Sequence, residues 1–127
     1  MLIVLIVAAA AGCGPAKMTE VQKVRSGMLD LVLLSPQDGL RHGKDAFVIE
    51  FRAVSGGALV DVGQVTAGAN MPMAGTPMFG TVDVQQTNVP GRYAAGAEFG
   101  MAGTWRLTIH WDGPAGQGSV TFPGTVQ

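Results

Sequence analysis

The chain has 127 residues, enough for one domain and too few for two of ordinary size. Hydrophobic residues make up 47% and charged residues 13%, and 8 basic side chains against 9 acidic ones give a formal charge of -1. No basic face is available to grip phosphates, which argues against nucleic acid as a partner. The 19 Gly and 7 Pro resist helix interiors and recur at roughly strand-length intervals, which argues against a helical bundle.

Residues 1–12 (MLIVLIVAAAAG) carry no charged or hydrogen-bonding side chain. The run is too short to cross a hydrocarbon core of about 30 Å as a helix. It reads as the apolar region of a secretory signal, with Ala10, Ala11 and Gly12 directly before Cys13, the only cysteine. That arrangement resembles a bacterial lipobox. The resemblance implies cleavage before Cys13 and acylation of its thiol and new amino group, and Gly14 in place of Asp implies the outer membrane. The alternatives are an ordinary signal with a nearby free thiol, or a buried first strand. With one cysteine no intrachain disulfide forms, so stability is expected to come from the core.

Residues 13–27 are polar from Gly14 onward and have no sustained apolar period, as expected of a lipidated N-terminus and tether, with a short helix or edge strand as the alternative. The domain is expected over 28–127. There the pattern turns to period two, the signature of half-buried strands. Leu29, Leu31 and Leu33 share one face; Phe47, Ile49, Phe51 and Ala53 share another, with Glu50 and Arg52 between them. Val60 and Val62, then Val82 and Val84, mark two shorter strands, and Tyr93, Ala95, Ala97 and Phe99 a fifth. Trp105, Leu107, Ile109 and Trp111 give the clearest alternation, and Val120 and Phe122 close the series. Turn-forming Pro-Gln-Asp-Gly, Ser-Gly-Gly, Pro-Gly and Asp-Gly-Pro separate them. The expectation is all-β: an immunoglobulin-like antiparallel β-sandwich of about seven strands.

Residues 70–78 read Asn-Met-Pro-Met-Ala-Gly-Thr-Pro-Met, and Met101 lies in a second Gly-rich stretch, Gly100–Gly103. Pro72 biases Met71 toward extended geometry, so Met71 and Met73 are expected on one side, with Cα atoms about 7 Å apart. Gly75 and Pro77 permit a bend that returns Met78 to the same place. In a seven-stranded antiparallel sandwich the first, third and fifth loops emerge at one end. These are the loops of His42, of the methionine run and of Met101. His110, on a strand, faces solvent near the other end. Thioethers, with one imidazole, favour Cu(I) or Ag(I) over Zn, Ca or Mg. The alternative is that the methionines fill the sandwich end or give a protein partner an adaptable apolar contact.

Other chemistries lack support. The sequence has no H-E-x-x-H and no Gly-x-Ser-x-Gly, and its nine acids are scattered singly, where solvated faces explain them better than acid and base roles. Trp105 and Trp111 fall on a core stripe. Arg92 is expected to pair with Glu98 or Asp83 across a strand. No enzyme is expected.

Read together, Met71-Pro72-Met73, Pro90-Gly91-Arg92-Tyr93 and Phe99-Gly100-Met101-Ala102-Gly103-Thr104-Trp105 resemble the YtkA-like domain, related to FixH and to the C-terminal domain of some heavy-metal efflux adaptors. The likeness covers roughly residues 44–124. It implies an immunoglobulin-like sandwich outside the cytoplasm, with metal-binding methionines corresponding to Met71, Met73, Met78 and Met101, and His42 is kept beside them. The expected protein is a periplasmic, lipid-anchored carrier of Cu(I) or Ag(I) for delivery or resistance, with a metal-transfer or efflux protein as partner. The alternative is a metal-free module docking on an envelope complex through its methionine-rich loop end.

Overall fold

The structure, a computed structural model, describes residues 18–127 apart from 74 and 115. The signal read in residues 1–12, and Cys13, lie outside the described residues. Among the described residues eight strands follow one another: β1 (Thr19–Ser26), β2 (Leu29–Ser35), β3 (Gly43–Ala53), β4 (Gln64–Met71), β5 (Met78–Gln86), β6 (Arg92–Phe99), β7 (Gly103–Gly113) and β8 (Gly116–Val126). Their order is β1-β2-β3-β6-β5-β4-β7-β8, every neighbouring pair antiparallel. The all-β class holds, with one strand more than expected. That strand is β1, which lies within the segment read as tether.

The two layers of the sandwich are continuous through β5. Its first residues, Met78 to Gly80, pair with β4, and Thr81 to Gln86 pair with β6. A strand that changes sheets makes a corner, and a corner needs close backbone approach. Gly80 supplies it: a β-carbon there would stand 3.0 Å from the Glu98 carbonyl oxygen and 3.2 Å from the Trp105 ring. On the opposite side the β2–β3 connection closes the gap to β8. Leu40 bridges Val126, and the Gln127 amide donates to the Leu40 carbonyl at 2.8 Å.

Each strand turns alternate side chains inward, and the core is built from those stripes. Leu31 and Leu33, Phe47, Ile49 and Phe51, Tyr93 and Phe99, and Trp105, Leu107 and Ile109 are almost wholly buried. Two aromatic groups brace the two ends. Phe51 meets Tyr93 and Trp111 edge-on at 5.5 and 5.3 Å between ring centroids, while Phe99 meets Trp105 at 5.2 Å.

Three expectations need correction. Val60 and Val62 do not form a strand; they sit in the connection before β4, where the Val60 amide donates to the Phe51 carbonyl at 2.8 Å. Arg92 pairs with neither Glu98 nor Asp83. Its Nε donates to Glu50 at 2.7 Å, because Arg92 lies directly opposite Glu50 in the β3–β6 ladder. Nor are the acids all solvated: Glu50 is fully buried on the outer face of β3, held by Arg92 and by Arg52, and Asp30 is buried beside Arg25. Burial raises the Glu50 pKa, but the hydrogen bonds and charges of the two guanidinium groups outweigh it and hold the carboxyl below its usual range.

Candidate metal centre

The alternation of strand direction gathers one set of connections at a single end of the sandwich: those between β2 and β3, β4 and β5, and β6 and β7. The β4–β5 hairpin closes on Met71 opposite Met78, the last pair of its ladder. Met71 continues the inward stripe of Val65 and Ala69, so its side chain is 8% exposed and belongs to the core. It runs beneath the start of β7, where a β-carbon on Gly103 would lie 2.5 Å from the Met71 Cε and 3.6 Å from its sulfur. Gly103 has φ of 144°, outside the range a side chain adopts comfortably. Met78 is half-buried against the core, and its sulfur would stand 3.2 Å from a β-carbon on Gly100.

Both thioethers therefore abut the four-residue segment Gly100–Gly103, which carries Met101. Trp105 fixes that turn by donating its indole N–H to the Met101 carbonyl at 3.0 Å. The Met101 side chain itself is exposed. So the Met71 and Met78 side chains lie against the two ends of the turn that carries the exposed Met101.

Met73 behaves differently from expectation. β4 ends at Met71, so strict alternation is not carried through Pro72, and Met73 sits exposed on the loop rather than beside Met71. His42 is at the same end. Gly43 opens β3 opposite Phe99, so His42 stands one residue beyond the end of that ladder, at the end where the Gly100 turn begins. Its Nδ1 lies 2.9 Å from the Gln127 main-chain oxygen, and its amide donates to the same oxygen at 2.8 Å. That oxygen accepts, so in the neutral ring Nδ1 carries the proton and Nε2 keeps its lone pair, as metal-binding imidazoles are commonly oriented.

Hard-ligand chemistry has no comparable cluster: among the described residues no three His, Cys, Asp or Glu side chains are grouped as a metal site. His110 is exposed on β7, paired with Thr66 and Ser119 away from the methionines. One residue of this end escaped the sequence reading. Phe79 is 74% exposed beside Asn70, on the outer face one residue inside β5. Its signal was the apolar pair Met78-Phe79, since two adjacent strand residues cannot both face the core.

A family model described as YtkA-like matches residues 22–110. No curated protein matches the chain in sequence. Among solved structures, FetP of uropathogenic Escherichia coli strain F11, as isolated after periplasmic expression, superimposes with a TM-score of 0.53 at 16% identity, over 86% of this chain and 95% of that one. A copper-bound variant of the same FetP gives a TM-score of 0.49 at 14% identity, over 86% of this chain and 97% of that one. The first likeness shows a shared fold.

Proposed function

The chain belongs to the YtkA-like family, and from that premise we propose that it is an exported, lipid-anchored protein that carries Cu(I) or Ag(I) at the methionine end of its sandwich. The observation that carries this reading is the abutment of the Met71 and Met78 thioethers on the turn bearing Met101. Met73 and Met101 form the exposed rim, and the free Nε2 of His42 is a further donor at the same end. Uncharged sulfur suits a soft monovalent ion and repels neither its loading nor its release. An exposed rim over a buried floor lets an incoming partner's ligands replace Met73 and Met101 first, so transfer proceeds by stepwise ligand exchange. No bond of a substrate is made or broken, and the protein acts as a carrier. Cys13 is the acylated residue, facing the periplasm from the outer membrane.

Titration of the purified full chain in detergent with Cu(I), against a competing chelator, tests this. One ion per chain is expected, with affinity lost when Met71, Met78 and Met101 are all replaced by Leu. Absent binding, or binding unaffected by that replacement in a folded protein, overturns the carrier reading. Absent binding would favour the second reading, a metal-free docking module, for which the exposure of Phe79 speaks.

A further inference from the structure

β1 opens at Thr19, whose partner is Ser35 at the far end of β2. Ser35 leads directly into the connection that carries His42. The chain thus enters the domain at the methionine end, and five residues, 14–18, separate Cys13 from Thr19. Six Cα steps span at most about 20 Å when fully extended. Eight residues of β1 place the opposite end, with Met28 and Trp111, roughly 25 Å further along. A lipid on Cys13 would therefore tether the methionine end closest to the bilayer.

The surface at that end carries a second, independent mark. Of the four exposed large hydrophobic side chains among the described residues, Met73 (46%), Phe79 (74%) and Met101 (41%) lie here, and Met28 lies at the other end. Charge does not account for the patch. Arg41, Lys44 and Arg106 at this end are offset by Glu20, Asp38, Asp45 and Glu98; Lys44 faces Glu98 in the ladder and Asp45 accepts from the Arg41 amide at 2.9 Å. With no net positive charge, attraction to anionic lipid is not its basis. Exposed apolar side chains close to an acyl anchor are suited to the headgroup boundary of a bilayer.

We propose that the methionine end rests on the bilayer, with Phe79, Met73 and Met101 at the lipid interface, so that the metal site opens toward the membrane plane. This rests on the acylation of Cys13 in the reading above. It deepens that reading by fixing where a recipient meets the ion: at the membrane surface and not in the open periplasm.

The test uses the acylated full chain in phosphatidylcholine vesicles free of other protein. A fluorophore is attached at Thr76→Cys, in the β4–β5 loop, or at Ser55→Cys, beyond β3 at the opposite end; acylated Cys13 offers no competing thiol. Nitroxide-bearing lipid should quench the label at 76 several-fold more than the label at 55. Phe79→Ser should reduce quenching at 76 without changing the fraction that sediments with vesicles or the thermal unfolding midpoint. Equal quenching at the two positions, in a chain that does sediment with vesicles, overturns the orientation alone and would leave the patch to a protein partner. A chain whose Cys13→Ser form remains membrane-bound in cells overturns the acylation, and the orientation with it.

Discussion

A β-carbon on Gly103 would sit 2.5 Å from the Met71 Cε, so the β6–β7 turn is shaped around that thioether. Gly103→Ala must displace either the turn or Met71, and it must also adopt a φ near 144° that favours glycine. A loss of about 1–3 kcal/mol in urea unfolding is expected, together with weaker Cu(I) retention against a chelator. Gly100→Ala meets only the flexible Met78 sulfur at 3.2 Å and should cost less.

Methionine replacements should separate stability from binding. Leu at Met73 or Met101, both exposed, should leave unfolding within about 0.5 kcal/mol, and Leu at buried Met71 within about 1.5 kcal/mol because the volume is conserved. Chelator competition should nonetheless show lower Cu(I) affinity in all three. Unchanged affinity in the Met71 variant would remove that residue from the ligand set.

Glu50 sets an acid limit. Its carboxyl is held below the usual range in the folded protein, chiefly because hydrogen bonds from Arg52 and Arg92 outweigh burial, so the stabilisation is complete above the unfolded value of about 4.3 and is lost as pH falls through the folded one. Thermal midpoints should decline on acidification in that window, and Glu50→Gln should flatten the decline. At neutral pH that variant should lose about 2–3 kcal/mol, less than is usual for severing a buried pair, because both guanidinium groups remain part-hydrated.

Tyr93 sets an alkaline one. Its hydroxyl donates to the Gly63 carbonyl at 2.7 Å, tying β6 to the approach of β4. Burial, helped by the charge of Asp61, pushes the phenol above its ordinary value of about 10. The folded state therefore favours the protonated form, and stability should fall as pH rises past the unfolded value toward the folded one. Tyr93→Phe should cost about 1 kcal/mol at neutral pH and abolish its share of the alkaline loss, read by circular dichroism.

Strands that bury large residues were legible in the sequence, as Trp105 to Trp111 illustrate. β4 was not, because its inward stripe between Val65 and Met71 runs through the small side chains of Ala67 and Ala69, which give a weak apolar alternation. β1, at the end of the strand order, was legible only as the edge-strand alternative for the tether: its ladder slips between Glu20 and Gln22, so Val21 and Val24 are three apart and period two is broken. For the candidate site, counting strand directions placed His42, the methionine run and Met101 at one end, because β4 stands where Val60 and Val62 had been counted as a strand and keeps the alternation of direction. Adding β1 shifts every loop by one and leaves their relation intact. What the count could not supply was the split between the buried Met71 and the exposed Met73, which depends on where β4 stops. The alternation also put Glu50 on the outer face correctly, but its burial comes from arginines on β3 and β6 that only the folded ladder assembles.

Because β5 serves β4 with its first three residues and β6 with the rest, the hairpin that presents Met78 cannot swing as a separate flap. Any tightening of the thioethers around an ion would be felt as tension along a strand shared by both layers. Slower amide exchange at Thr81 to Val84, well away from the sulfur atoms, would be the sign that loading stiffens the whole scaffold and not its tip alone.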